Sequence, residues 1–162
     1  MKILITGTGF IGKNLLETLV KLGGNEIAYT THKTQDYADN HYHHSNLFGH
    51  EFHVDLTSKH DVEFLFRGFQ PDLIYHLAGK ATVKSNEFEI MRSNVDSTHL
   101  LLKNCIAGTR FVLASSIIVH GNVDKVGDCD VPNFPNSIYG VSKLCAEKLV
   151  QKYHMDGGVQ GR

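Results

Sequence analysis

Met1-Lys2-Ile3-Leu4-Ile5-Thr6-Gly7-Thr8-Gly9-Phe10-Ile11-Gly12 is the stretch that decides the fold. Lys2 to Thr6 is a short, apolar, β-rich run. Gly12 to Leu22 follows with Leu15, Leu16, Leu19, Val20 and Leu22 at helical spacing. Between them, Gly7-Thr8-Gly9-Phe10-Ile11-Gly12 fits G-x-G-x-x-G. The pattern alone is weak. Set between a strand and a helix it has a mechanism, because glycines let the chain turn tightly and let a pyrophosphate approach the backbone. The helix start then offers unpaired N–H groups and the positive end of the helix dipole. The plain alternative is a glycine-rich turn with no ligand.

Outward from that unit, strand and helix alternate. Glu26 to Thr31 reads as a second strand, Phe52 to Leu56 as a third, Leu73 to Leu77 as a fourth and Arg110 to Ser115 as a fifth. Helices are expected over Ser58 to Phe69 with Ser58 or Thr57 as cap, Phe88 to Ile106, and Ser137 to His154. His32 to His50 and Gly121 to Asn136 read as loops. Such alternation predicts a doubly wound parallel sheet with helices on both faces. The strand order 3-2-1-4-5-6 would require a sixth strand beside the fifth. Residues 155–162 show no strand pattern and read as a tail. The expectation is therefore a sheet truncated after the last helix, with an apolar edge at Phe111 to Ala114. A fragment, or an edge covered by a partner, would both explain it.

Composition narrows the function. A chain of 162 residues is enough for one domain, here 1–154. With 16 basic and 17 acidic residues it has no electrostatic case for nucleic acid or an anionic membrane. No apolar run reaches the length of a membrane span. Cys105, Cys129 and Cys145 form no CxxC pair, which predicts reduced thiols and a cytoplasmic location. His41, His43, His44, His50 and His53 cluster without a nearby cysteine, so the segment reads as a polar loop, and no metal site is expected.

Chemistry is carried by Tyr139-Gly140-Val141-Ser142-Lys143. Four residues apart on a helix, Tyr139 and Lys143 share a face. An ammonium beside a phenol favours the phenolate, which suits proton transfer to or from an alcohol oxygen. The second strand ends in Thr30-Thr31-His32-Lys33, about 20 residues after the glycines, where NAD-binding units usually place a carboxylate. None is present there, and the cationic Lys33 with His32 fits a 2′-phosphate. NADP is the expected cofactor, with NAD the alternative. A solvated loop charge is the plain reading of Lys33.

Together these features resemble the extended short-chain dehydrogenase/reductase family, the NAD(P)-dependent epimerases and dehydratases of nucleotide sugars. The resemblance runs from Met1 to about Tyr153. It rests on Gly7 to Gly12, Asp55-Leu56, His76-Leu77-Ala78-Gly79, Asn94, Ser115-Ser116-Ile117-Ile118-Val119-His120-Gly121, and Tyr139 to Lys143. It implies a Rossmann-like fold and a nucleotide-sugar substrate. Ser116 would hydrogen-bond the substrate oxygen, Tyr139 would be the general acid/base, and Lys143 would hold the nicotinamide ribose. Asp55 would meet the adenine amino group, with Leu56 on the adenine ring. Leu77, Ala78, Gly79, Lys80 and Asn94 would line the middle of the cofactor, and Gly7, Gly9, Phe10, Ile11 and Gly12 its phosphates. A homodimer through the 88–106 and 137–154 helices is also implied. The chain departs from the family in three ways. Its glycine turn is one residue shorter than GxxGxxG. His120 stands where Tyr is usual. Family members run to roughly twice the length, so a C-terminal substrate domain would be absent. The expected activity is NADP-dependent oxidoreduction or epimerisation, with reduction of a 4-keto sugar ahead of epimerisation. The competing expectation is a dinucleotide-binding fragment or subunit that is catalytically incomplete without a partner or the missing domain.

Overall fold

The computed structural model describes residues 1–32, 49–81, 86–122 and 132–162. A six-stranded, wholly parallel sheet runs through it in the order β3-β2-β1-β4-β5-β6. The strands are β1 Lys2–Thr6, β2 Glu26–Thr31, β3 His50–His53, β4 Leu73–His76, β5 Thr109–Leu113 and β6 Val159–Gly161. The helices are α1 Phe10–Leu22, α2 Lys59–Gly68, α3 Glu87–Met91, α4 Ser97–Asn104 and α5 Ile138–Met155. A π turn at Arg92–Asp96 joins α3 to α4, and a 3₁₀ turn spans Ile117–His120.

Each face of the sheet has its own core. Ile3, Ile5, Ile27 and Tyr29 pack with Leu16 of α1 on one side. On the other, Leu4, Ala28, Ile74 and Phe111 pack with Val62, Leu65 and Phe66 of α2, Leu101 and Leu102 of α4, and Val150 of α5. Alternate residues of each strand feed opposite cores, as the period-two geometry of a strand requires. Ser58 caps α2 by accepting from the Asp61 N–H at 3.3 Å.

The end of the chain corrects the expectation of a tail. Val159–Gly161 forms a sixth strand on β5, with Thr109 paired to Val159 and Phe111 to Gly161. Arg162 N–H donates to Phe111 O at 2.9 Å, and Leu113 N–H donates to Arg162 O at 3.0 Å. The edge expected to be bare at Phe111 to Ala114 is therefore paired through Leu113. Val159 is the anchor, buried in the larger core. A three-residue strand that follows two glycines and ends in a third presents one inward apolar side chain, too few to show alternation. The third strand lies earlier than expected, because Val54 and Leu56 are core residues after its end rather than part of it. The 88–106 helix is interrupted by the π turn.

Candidate active site

The glycine turn is pressed against the ends of its neighbours. Gly7 has φ +84°, and a methyl group there would lie 2.6 Å from the Ala78 backbone beyond β4. Gly7 N–H donates to Thr30 Oγ1 at 3.4 Å, tying the turn to β2. A methyl group on Gly12 would sit 1.9 Å from Gly7 O, so α1 starts directly on the turn. Gly9, the residue that caps α1, is open, with nothing within 4 Å of where a methyl group would be. No side chain caps α1, and no acidic residue lies in its first turn. Phe10 and Ile11 are exposed. An open glycine, an uncapped helix start and no competing carboxylate together fit a pyrophosphate.

The residues expected on the adenosine side divide. His32 is exposed at the end of β2, while Lys33 lies outside the described residues. Asp55 Oδ1 accepts from Thr57 N–H at 2.8 Å and Thr57 Oγ1–H at 2.7 Å, which shapes the turn into α2. Leu56 is buried in the core. A carboxylate also meets the end of β2 from the neighbouring strand. Thr31 Oγ1 donates to Glu51 Oε1 at 3.0 Å, and Tyr29 OH donates to Glu51 Oε2 at 3.3 Å. Glu51 sits on β3, and only the β2–β3 register brings it here. Its position in the sequence carries no sign of that. Among the described residues no group of three His, Cys, Asp or Glu side chains is placed to hold a metal ion. His41, His43 and His44 are outside them.

His76 ends β4 and is fully enclosed. Its Nδ1 meets Thr6 Oγ1 at 2.6 Å, and its Nε2 meets Thr98 Oγ1 at 3.0 Å. Thr98 already donates to Asn94 O at 2.6 Å. It therefore accepts from His76 Nε2–H, and Thr6 Oγ1–H donates to Nδ1. Burial, and secondarily the Lys143 charge, lowers the His76 pKa to about 3. The ring is a neutral packing residue rather than a base. Unfolded, it would titrate near 6.5. Between those values the unfolded chain binds the extra proton, so stability rises with pH. This contribution is full above about pH 6.5 and is lost as pH falls towards 3, by on the order of a few kcal/mol. Urea midpoints measured from pH 7 to pH 4 should fall more steeply for the native chain than for His76→Gln. Equal slopes would remove His76 from the account.

Asn94, on the π turn, joins three segments. Its Oδ1 accepts from Lys80 N–H at 2.8 Å, and its Nδ2 donates to Lys80 O at 3.0 Å and to Ser142 Oγ at 2.8 Å. Ser142 Oγ–H in turn donates to Tyr139 O at 2.7 Å. The segment after β4 and the first turn of α5 are thereby held together by one buried amide. The Lys80 backbone is committed to Asn94, and its ammonium pairs with Glu89 Oε2 at 2.9 Å. Gly79 lies against Asn94, and a methyl group there would be 3.7 Å from Lys143 Nζ.

Lys143 is only 6% exposed. Burial lowers its pKa, and Glu147 one turn on partly offsets the shift. Ser116 opens the 3₁₀ turn after β5, its Oγ accepting from Ile118 N–H at 3.4 Å. Gly140 packs against Ile118 of that turn, which seats the start of α5 beside Ser116. Tyr139 is partly exposed. The structure thus gathers Gly7, Ala78, Gly79, Asn94, Ser116, Tyr139 and Lys143 at the carboxyl ends of β1, β4 and β5. Ligands in open parallel sheets bind at that end. Sequence reasoning missed Ser142, the link from Asn94 to Tyr139, and Glu147, although both lie within four residues of Lys143. Cys145, also on α5, is a free thiol.

Comparison with known proteins bears directly on this geometry. The profile of the NAD dependent epimerase/dehydratase family matches residues 3–162. CDP-paratose 2-epimerase of Salmonella typhi is 32% identical over 80% of this chain, which covers 39% of that protein. GDP-mannose 3,5-epimerase 1 of Oryza sativa subsp. japonica is 31% identical over 100% of the chain and 45% of the relative. Among solved structures, the UDP-glucose 4-epimerase of Thermus thermophilus complexed with NAD superposes with a TM-score of 0.84 at 28% identity, covering 99% of this chain and 53% of that one. The chain spans about half the length of the relatives it matches.

Proposed function

The chain belongs to the NAD dependent epimerase/dehydratase family, and from that we propose that it is the dinucleotide-binding and proton-transferring part of an enzyme acting on a nucleotide sugar. One observation carries the reading most. Asn94 bonds the segment after β4 and the first turn of α5, and Lys143 lies against Gly79 in that same corner, beside the open glycine turn. The cofactor, when bound, exchanges a hydride with a sugar carbon. Gly7 to Gly12 would cradle its phosphates, and Ala78 and Gly79 would flank its middle. Tyr139 would give a proton to, or take one from, the sugar oxygen. The Lys143 ammonium favours the phenolate form needed for the second role. Ser116 would donate a hydrogen bond to the same oxygen as charge develops on it.

Reduction of a 4-keto sugar is the reaction we favour, and it follows from a preference for NADP. That preference rests on the charge of Lys33 and on the lack of a carboxylate in Thr30-Thr31-His32-Lys33. The Glu51 carboxylate bonded to Thr31 is the observation on the side of NAD. Affinities for NADPH and NADH measured on the native chain and on Lys33→Ala decide between them. We expect the ratio to fall about tenfold, the effect of losing one ion pair of about 1.4 kcal/mol. An unchanged ratio rejects Lys33 as the 2′-phosphate contact. The second reading is a dinucleotide-binding unit that turns over only when completed. The share of its relatives that the chain covers favours it. Dinucleotide binding without oxidation or reduction of any nucleotide sugar by the chain alone would select this reading.

A further inference from the structure

Asn94 and Ser142 are both buried, and donor chemistry fixes where their hydrogens go. Lys80 N–H can only donate, so Asn94 turns Oδ1 towards it. Both hydrogens of Asn94 Nδ2 are then committed, one to Lys80 O at 3.0 Å and one to Ser142 Oγ at 2.8 Å. Ser142 Oγ therefore accepts from Asn94, and its own hydrogen goes to Tyr139 O at 2.7 Å. Asn94 is itself held from behind. Its carbonyl accepts from Thr98 Oγ1–H at 2.6 Å, Thr98 Oγ1 accepts from His76 Nε2–H at 3.0 Å, and His76 Nδ1 accepts from Thr6 Oγ1–H at 2.6 Å. Thr6 immediately precedes the glycine turn. A buried series of bonds, all donated in one sense, thus runs from the root of that turn to the first turn of α5, and the Ser142 hydroxyl is its last link.

We propose that Ser142 is a positioning residue for Tyr139, its hydroxyl setting the start of α5 against the segment after β4. This rests on the reading of Tyr139 as acid/base given above. Its role is indirect: it bonds the Tyr139 backbone and touches no reacting atom. The spacing it sets is narrow. A methyl group on Gly79 would lie 2.7 Å from Asn94 Oδ1 and 3.7 Å from Lys143 Nζ, so segment, amide and ammonium already meet. A dinucleotide flanked by Ala78 and Gly79 and a phenol carried by α5 would then be held in register by one hydroxyl. Without it, one N–H of the Asn94 amide is buried and unpaired, which costs free energy until the amide or the helix moves.

Native-state hydrogen exchange of the cofactor-free chain reads the link at its far end, the Lys80 N–H that Asn94 protects. Ser142→Ala, which leaves the Lys80 bond partners in place, is expected to speed that exchange about tenfold. Ser142→Thr and Ser142→Val add the same bulk and differ in the hydroxyl alone. The threonine variant should keep most of the Lys80 protection and the valine variant should lose it. The position of Tyr139 is read on the same samples from its ¹³C-labelled ring signal. We expect a single sharp signal in the native chain and in Ser142→Thr, and a broadened or doubled one in Ser142→Val. Unchanged Lys80 exchange in Ser142→Ala overturns the proposal. If that variant does not fold, equal exchange in the threonine and valine variants overturns it instead. Identical Tyr139 signals in those two would leave Ser142 a packing residue and equally overturn it. Because neither measurement needs cofactor or substrate, their failure is separate from any failure of Tyr139 as acid/base.

Discussion

Tyr139→Phe is expected to reduce nucleotide-sugar turnover by about a hundredfold to ten-thousandfold, the usual yield of a positioned general acid/base. Dinucleotide affinity should stay within about twofold, since the variant removes one hydroxyl and no cofactor-cradling group. The reasoning is local. The Tyr139 carbonyl, which accepts from Ser142, is untouched, as is the Asn94 amide behind it. Gly140 still packs on Ile118. The ring keeps its place and only the proton carrier is lost. Turnover and dinucleotide titration on the same preparation separate the two effects. Full activity in Tyr139→Phe would show that the proton moves through another group. A matching loss of affinity would show a binding role instead.

The second large effect is expected from glycine. Gly12→Ala puts a methyl group 1.9 Å from Gly7 O, a contact with backbone that no rotamer relieves. Either α1 shifts off the sheet or the turn opens. We expect a loss of about 3 kcal/mol in stability, at the upper end for an overpacked site, together with loss of dinucleotide binding. Gly9→Ala is the informative contrast. Its φ of −68° suits any residue, and nothing lies within 4 Å of the new methyl group. Stability should change by less than about 0.5 kcal/mol. Affinity for the dinucleotide should still fall about tenfold or more, because the methyl group would occupy the space a phosphate needs. Chemical denaturation and dinucleotide titration of both variants check the pair. Unchanged affinity in Gly9→Ala would remove the pyrophosphate from this turn.

The glycine turn at the head of α1 and the placement of Tyr139 and Lys143 one turn apart on α5 were legible in the sequence for a shared reason. Each depends on short spacing, glycines in one turn or two side chains one helical turn apart, and local geometry follows local sequence. The boundaries of β2 and the Ser58 cap were readable on the same ground. What was hidden depends on pairing between distant segments. Glu51 meets Thr31 only through the β2–β3 register. Ser115 meets Glu147 only once α5 lies over β5. The sixth strand was hidden by brevity, since Val159 alone points inward. The π turn has no residue signature in Arg92-Ser93-Asn94-Val95-Asp96, and the bonds made by Asn94 run to Lys80 and Ser142.

That π turn sets a phase relation. A π turn carries one residue more than an α turn, and one residue rotates a helix by roughly 100°. The side chains of α3 before it and α4 after it are therefore out of step with a single straight helix. Leu101 and Leu102 face the core in the phase that this extra residue grants them. Asn94, inside the offset, is turned to Lys80 and Ser142 beyond the carboxyl end of β4. The site and the core are thus indexed to each other by a single residue. Shortening the turn by one would heal the helix and at the same stroke misalign the amide that joins the segment after β4 to α5.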